Sequence, residues 1–133
     1  MSLASPFAIV QAWQEAANQQ NAARLAELSA PDIEIVGPRG SGYGVQLLQD
    51  WLGRAGLQLT AIRAFARDER VVIAQHGVWR SLETGVVTGE RDVATFFRVR
   101  DQVVTRLARY DSLDTALAEA GLQYADAIQR SGE

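Results

Sequence analysis

Four runs rich in β-branched and aromatic residues, 57–66, 71–79, 86–99 and 103–110, follow one another with little chain between them. The links Arg67-Asp68-Glu69-Arg70 and Asp101-Gln102 are far shorter than the crossover of about a dozen residues that parallel strands need. The second half of the chain is therefore expected to fold as an antiparallel meander. Its third run is long, and Thr88-Gly89-Glu90 marks a bulge or bend within it.

The first half reads differently. Ser5-Pro6 is a helix start, because serine caps open N–H groups and proline at the first helical position gives up no needed donor. Phe7, Ile9, Val10, Trp13, Ala16 and Ala17 then share one helical face, opposite Gln11, Glu15, Asn18 and Gln19. Asn21 caps a shorter helix with Leu25, Ala26 and Leu28, which must stop before Pro31. A β-like stretch over 32–36 leads through a glycine-rich loop, 37–44, into a third helix carrying Val45, Leu47, Leu48, Trp51, Leu52 and Ala55, ended by Gly56. The loop lacks the lysine-serine/threonine ending of a phosphate loop. Ser112 caps a closing helix stopped by Gly121, and the tail after Leu122 is expected to extend helically or fray.

Composition narrows the chemistry. The 133 residues, 47% apolar and 22% charged, suit one domain with one core, expected over 1–133 with its core at about 5–121 and a tail at 122–133. The chain has no cysteine, which excludes disulfides, thiol nucleophiles and thiolate metal sites. A net charge of -3 with dispersed arginines argues against nucleic acid. No apolar run approaches the roughly 20 residues of a membrane helix, and no signal-peptide core is present, so a cytoplasmic protein without a membrane partner is expected.

Trp13 in the first helix, Gly42-Tyr43-Gly44 leading to Leu48 and Trp51, and the ending Phe96-Phe97-Arg98-Val99-Arg100-Asp101-Gln102-Val103-Val104 carry a likeness to a known group. Together with the element order, and with Tyr110-Asp111 matching a closing aromatic-aspartate, they resemble the SnoaL-like proteins of the nuclear transport factor 2-like superfamily. That resemblance implies an α+β cone, with N-terminal helices packed on a strongly curved, mainly antiparallel sheet around a cavity. It implies no single reaction, since this fold hosts isomerases, epoxide hydrolases, cyclases, dehydratases and non-catalytic binders.

Alternation along the strands assigns the concave wall. Ile73, Gln75, Gly77 and Trp79, then Arg91, Val93, Thr95, Phe97 and Val99, then Val103, Thr105, Leu107 and Arg109 are expected inside, with a bulge reversing any assignment beyond it. The acids, tyrosine and histidine that the resemblance would bring from limonene epoxide hydrolases, SnoaL cyclases or steroid isomerases are absent. Gln75 and Gly77, Thr95 and Arg109, and Trp13 stand in their places. The catalytic residues are thus unknown, and the residues do not decide whether the protein is an enzyme.

The expected ligand-binding residues are Trp13, Trp51, Gln75, Trp79, Thr95 and Arg109. An arginine on an apolar wall needs an anion or several acceptors. Either Arg109 pairs internally with Glu34 or Asp111, or it recognises a ligand carboxylate or enolate, with Gln75 and Thr95 as neutral neighbours and tryptophans as walls. The single histidine, His76, faces outward on this phasing, no metal site is assigned, and no cofactor is expected. The expected function is a small-molecule binding or enzymatic domain whose partner is an apolar or amphipathic molecule with or without an acidic group. The alternatives are a non-catalytic protein-interaction domain and an isomerase, cyclase or hydrolase acting on a polyketide- or terpenoid-like compound. A homodimer is expected from an outer apolar patch of Ala74, His76, Val78, Ala94 and Phe96.

Overall fold

Ser5 accepts a hydrogen bond from the Ala8 N–H at 3.1 Å and opens α1 (Pro6–Asn18) where the Ser-Pro pair predicts. Asn21 does the same for α2 (Ala22–Glu27) and Ser112 for α4 (Leu113–Ala120), which Gly121 ends at φ 70°. The computed structural model describes residues 5–37, 40–55 and 57–128, without the side chains of 51–57. Pro38, Arg39 and the Gly56 helix stop lie outside them.

Six strands form one sheet in the order β2-β1-β6-β5-β4-β3. They are β1 (Ser29–Gly37), β2 (Gly40–Tyr43), β3 (Leu57–Arg67), β4 (Arg70–Arg80), β5 (Val87–Arg100) and β6 (Val103–Tyr110), with α3 (Val45–Ala55) between β2 and β3. The meander β3 to β6 is antiparallel as expected, while β1 joins β6 in parallel. The sheet is curved and open, and the helices pack on it as an α+β fold. Among the described residues no helix is long and apolar enough to cross a membrane.

The glycine-rich loop departs from expectation. Gly40–Tyr43 forms β2 and pairs with β1, Gly42 opposite Ile35, because a hairpin ladder needs backbone groups rather than side chains. The tail also departs: after a single 3-10 turn at Tyr124–Asp126, Ala127 bridges Phe65 and the Ile128 N–H donates to the Ala64 carbonyl at 2.8 Å.

Two cores flank the sheet. On the concave side Ile9, Val10, Trp13, Leu25 and Leu48 meet Val71, Ile73, Phe97, Val104 and Leu107. The ring of Trp13 stands edge-on to Phe97 at 5.3 Å. On the convex side α4 lays Ala116, Leu117 and Ala120 over Phe65, Val72, Ala94 and Phe96. A fully buried residue of this size contributes about 1.5–3 kcal/mol.

Two expectations are corrected here. Val103 and Thr105 are not on the concave wall: the register shifts at the β5–β6 turn end, where Arg98 opposes Arg106 but Val99 opposes Val104, so Val104 points inward instead. The outer apolar patch is also smaller than read, since α4 leaves Ala94 0% and Phe96 3% exposed. The homodimer expectation is left with Ala74, His76 and Val78. The bulge expected near Thr88 is present, with Trp79 opposite Gly89 and Arg80 opposite Val87.

Candidate functional site

Strand register builds a polar band on the concave face. Ile73 opposes Thr95 and Thr95 opposes Arg109, while Gln75, two residues along β4, opposes Val93. The Thr95 hydroxyl donates to the Gln75 side-chain carbonyl at 2.8 Å, and the two side chains are 2% and 0% exposed. That bond uses Gln75 Oε1 and leaves Nε2, a buried donor, with no hydrogen-bond partner among the described residues. A buried amide N–H without an acceptor is costly, so Nε2 is a donor available to a water or a ligand.

Arg109 is half-buried beside this pair. Burial holds its guanidinium pKa below the ordinary arginine value, and the charge of Arg91 lowers it further. Of the two carboxylates considered as its partners, Glu34 lies 3.3 Å from Arg106 and Asp111 lies 3.6 Å from Arg91. The concave positions of β4, β5 and β6 carry neither a carboxylate nor a histidine. This arrangement can hold an oxygen-rich or anionic group; it offers no side chain suited to take a proton near neutral pH.

The tryptophans separate. Trp13 is 3% exposed, and its indole N–H donates to Ser29 Oγ at 3.0 Å, so the structure seats it in the core. Trp79 lies further along the concave face of β4, against Gly77, where a Cβ would come within 3.2 Å of the indole ring. The Arg91 guanidinium sits 5.8 Å from the Trp79 ring centre. Trp51 belongs to α3, but its side chain lies outside the described residues.

His76 faces outward as its phasing predicts. Its Nδ1 is 2.8 Å from Asp92 and its Nε2 3.2 Å from Glu90, and hydrogen bonding to these carboxylates, Asp92 first, raises its pKa. Among the described residues no group of three or more His, Cys, Asp or Glu side chains is arranged to hold a metal ion.

A cavity of about 530 Å³ lies between α1, β3, Ile73 of the concave face and the C-terminal segment. Phe7, Gln11 and Gln14 line it from the helix, Ala61 to Ala64 from the strand, and Ala127 and Ile128 from the tail. The residues Gln14 and Arg63 are absent from the sequence-based expectations. Gln14 reads as one more polar helix residue and Arg63 as one more surface arginine, and the wall that completes the cavity comes from a chain segment more than 60 residues away.

No protein-family model and no curated relative matches the sequence. Solved structures do. A candidate polyketide cyclase from Xanthomonas campestris pv. campestris is similar at 26% identity and a TM-score of 0.65, covering 86% of this chain and 96% of that one. TerC, crystallised with polyporic acid, is similar at 20% identity and a TM-score of 0.70, covering 87% and 98%. The protein RV0760c of Mycobacterium tuberculosis, in complex with estradiol-17beta-hemisuccinate, is similar at 16% and a TM-score of 0.70, covering 84% and 97%. The chain has the fold of nuclear transport factor 2-like structures and is SnoaL-like in its order of elements.

Proposed function

We propose that the protein binds a small amphipathic molecule carrying an acidic group, received on the concave face by Arg109, Gln75 and Thr95, with Trp79 and Arg91 at the far end of the same face. The observation that carries this reading is the pairing of a fully buried, unsatisfied Gln75 amide with a partly desolvated guanidinium on one wall. Both supply donors, and an oxyanion accepts from both. Two similar structures hold ligands of compatible chemistry, a hemisuccinate and polyporic acid, in their own sites. The same reading takes the protein as cytoplasmic and homodimeric; light scattering during gel filtration measures the latter, and a single 14.5 kDa species counts against it.

An aryl carboxylic acid and its amide, titrated against tryptophan fluorescence, test the proposal. Arg109→Leu is expected to weaken the acid by about 1.5–3 kcal/mol and barely affect the amide. A loss of fold stability of about 3–5 kcal/mol with no selective loss of the acid would instead make Arg109 a structural ion-pair member.

A catalytic reading, as a cyclase, isomerase or hydrolase, is favoured by the likeness to the candidate polyketide cyclase. The lack of a carboxylate or histidine on the concave strand positions favours binding. A protein-interaction domain is the remaining alternative, and saturable binding of the acid to wild type speaks against it.

A further inference from the structure

The 530 Å³ cavity and the polar band lie along one row of the sheet. Ala64 opposes Ile73, Ile73 opposes Thr95 and Thr95 opposes Arg109, so a single line crosses β3, β4, β5 and β6 on the concave face. The cavity takes the β3 half of that line, with Ala64 and Ile73 in its wall, and the band takes the β6 half. At about 4.8 Å between neighbouring strands, the two ends of the row stand roughly 14 Å apart along the sheet. The outer edge of β3 is held at two places, where Asn18 bonds both backbone groups of Leu59 and where the Ile128 N–H donates to the Ala64 carbonyl.

A stripe of α1 stands over the β3 half. Phe7, Gln11 and Gln14 follow one another at spacings of four and three residues, so they share a helical face, and all of them line the cavity. Gln11 is exposed, whereas the Nε2 of Gln14 is buried and has no hydrogen-bond partner among the described residues. Phe7, Ala61, Ala64, Ile73 and Ile128 make the rest of this wall largely apolar. Arg63 brings no charge to this end, because its guanidinium lies 5.0 Å from the ring centre of Phe65, in the convex core, and 5.6 Å from that of Tyr124. A single neutral amide on an apolar wall does little to offset the desolvation of a carboxylate, but it suits a ketone, ester or hydroxyl oxygen.

We propose that Gln14 is a specificity-determining residue of the concave site, selecting ligands that carry a neutral hydrogen-bond acceptor at the end remote from their acidic group. The inference rests on the reading that Arg109 receives the acid. The ligand then lies along the row from Arg109 to Ala64, with its charged end at β6 and its neutral oxygen beneath α1. A ligand whose far end is pure hydrocarbon leaves the Gln14 amide without an acceptor.

Four probes separate the two ends: 4-(4-acetylphenyl)butanoate, its near-isostere 4-(4-isopropylphenyl)butanoate, and the primary amides of both. Calorimetric titration of the full-length protein is expected to show the ketone acid binding about two- to tenfold tighter than the isopropyl acid, the range for one neutral hydrogen bond. In ¹⁵N-labelled protein the Gln14 side-chain amide protons should move downfield with the ketones and not with the isopropyl compounds. Gln14→Leu should bring the ratio of the two affinities to one, while Arg109→Leu should weaken both acids alike and leave the ratio standing. Equal binding of the two acids to wild type would mean that water serves the Gln14 amide, and it overturns the inference whether or not a variant folds. If the amides bind as tightly as the acids, the acidic-group reading alone fails, and the ketone preference between the amides still decides the role of Gln14. Absence of saturable binding by all four overturns both.

Discussion

Thr95 and Gln75 are tied across β5 and β4 by a 2.8 Å hydrogen bond in which both side chains are buried. Thr95→Val keeps the shape of the side chain and removes the donor, stranding the Gln75 carbonyl as well as its amide. We expect a stability loss of about 1–3 kcal/mol, the cost of an unsatisfied buried polar group. The double change Thr95→Val with Gln75→Leu should recover most of it. Urea unfolding of the four proteins of this cycle measures the coupling, and strictly additive losses would show that the bond contributes nothing.

Asn18 closes the other end of the β3 edge by holding both backbone groups of Leu59. Asn18→Leu leaves the two groups without their partner, and the urea midpoint should fall by an amount equivalent to about 1–3 kcal/mol. Asn18→Asp keeps an acceptor for the N–H but places a carboxylate against the carbonyl, so an intermediate loss is expected. An unchanged midpoint in Asn18→Leu would mean that water replaces the carboxamide at no cost.

The pH response of His76 has a definite sign. Its pKa is raised in the folded protein, by hydrogen bonds to Asp92 and Glu90. Such a group adds stability that is fully present below about pH 6.5, its ordinary value, and is lost as pH rises through the folded pKa. The stability difference between wild type and His76→Gln should therefore shrink from acidic toward alkaline pH. Titration of the imidazole by NMR should show a pKa above the ordinary value in wild type and a fall in Asp92→Asn. A wild-type value at or below the ordinary one contradicts the arrangement.

Incubation with a strong chelator should leave the melting temperature unchanged, because no group of ligands suited to a metal is present among the described residues. A fall of several degrees would reveal a carboxylate-rich site.

Much of the framework was legible because its signals are local. Ser5, Asn21 and Ser112 cap their helices, Gly121 takes the left-handed backbone at a helix end, and Thr88 is the extra residue of a bulge beside Gly89. The bulge near Thr105 has no such marker: Asp101 and Gln102 turn the chain with positive φ of 51° and 69°, and no glycine or proline stands there. That one residue shifted Val103 and Thr105 off the concave wall while Leu107 and Arg109 stayed on it. The concave band was legible by alternation along β4 and β5. The β3 cavity was not, because its wall depends on the tail returning to an edge strand, and nothing in residues 122–128 encodes that pairing locally.

The parallel ladder between β1 and β6 sets an order of assembly. Ser29 pairs with Val104 and Val36 with Ala108, so the hydrogen-bonding neighbour of the first strand is made only after β2 to β5. As the polypeptide leaves the ribosome, α1, α2 and β1 emerge with their apolar faces and no sheet to receive them. The strands β3 to β6, by contrast, can zip up hairpin by hairpin. Closing this long loop is the slow, high-contact-order event, and until it happens Ile9, Val10 and Trp13 remain the surface that a chaperone would recognise.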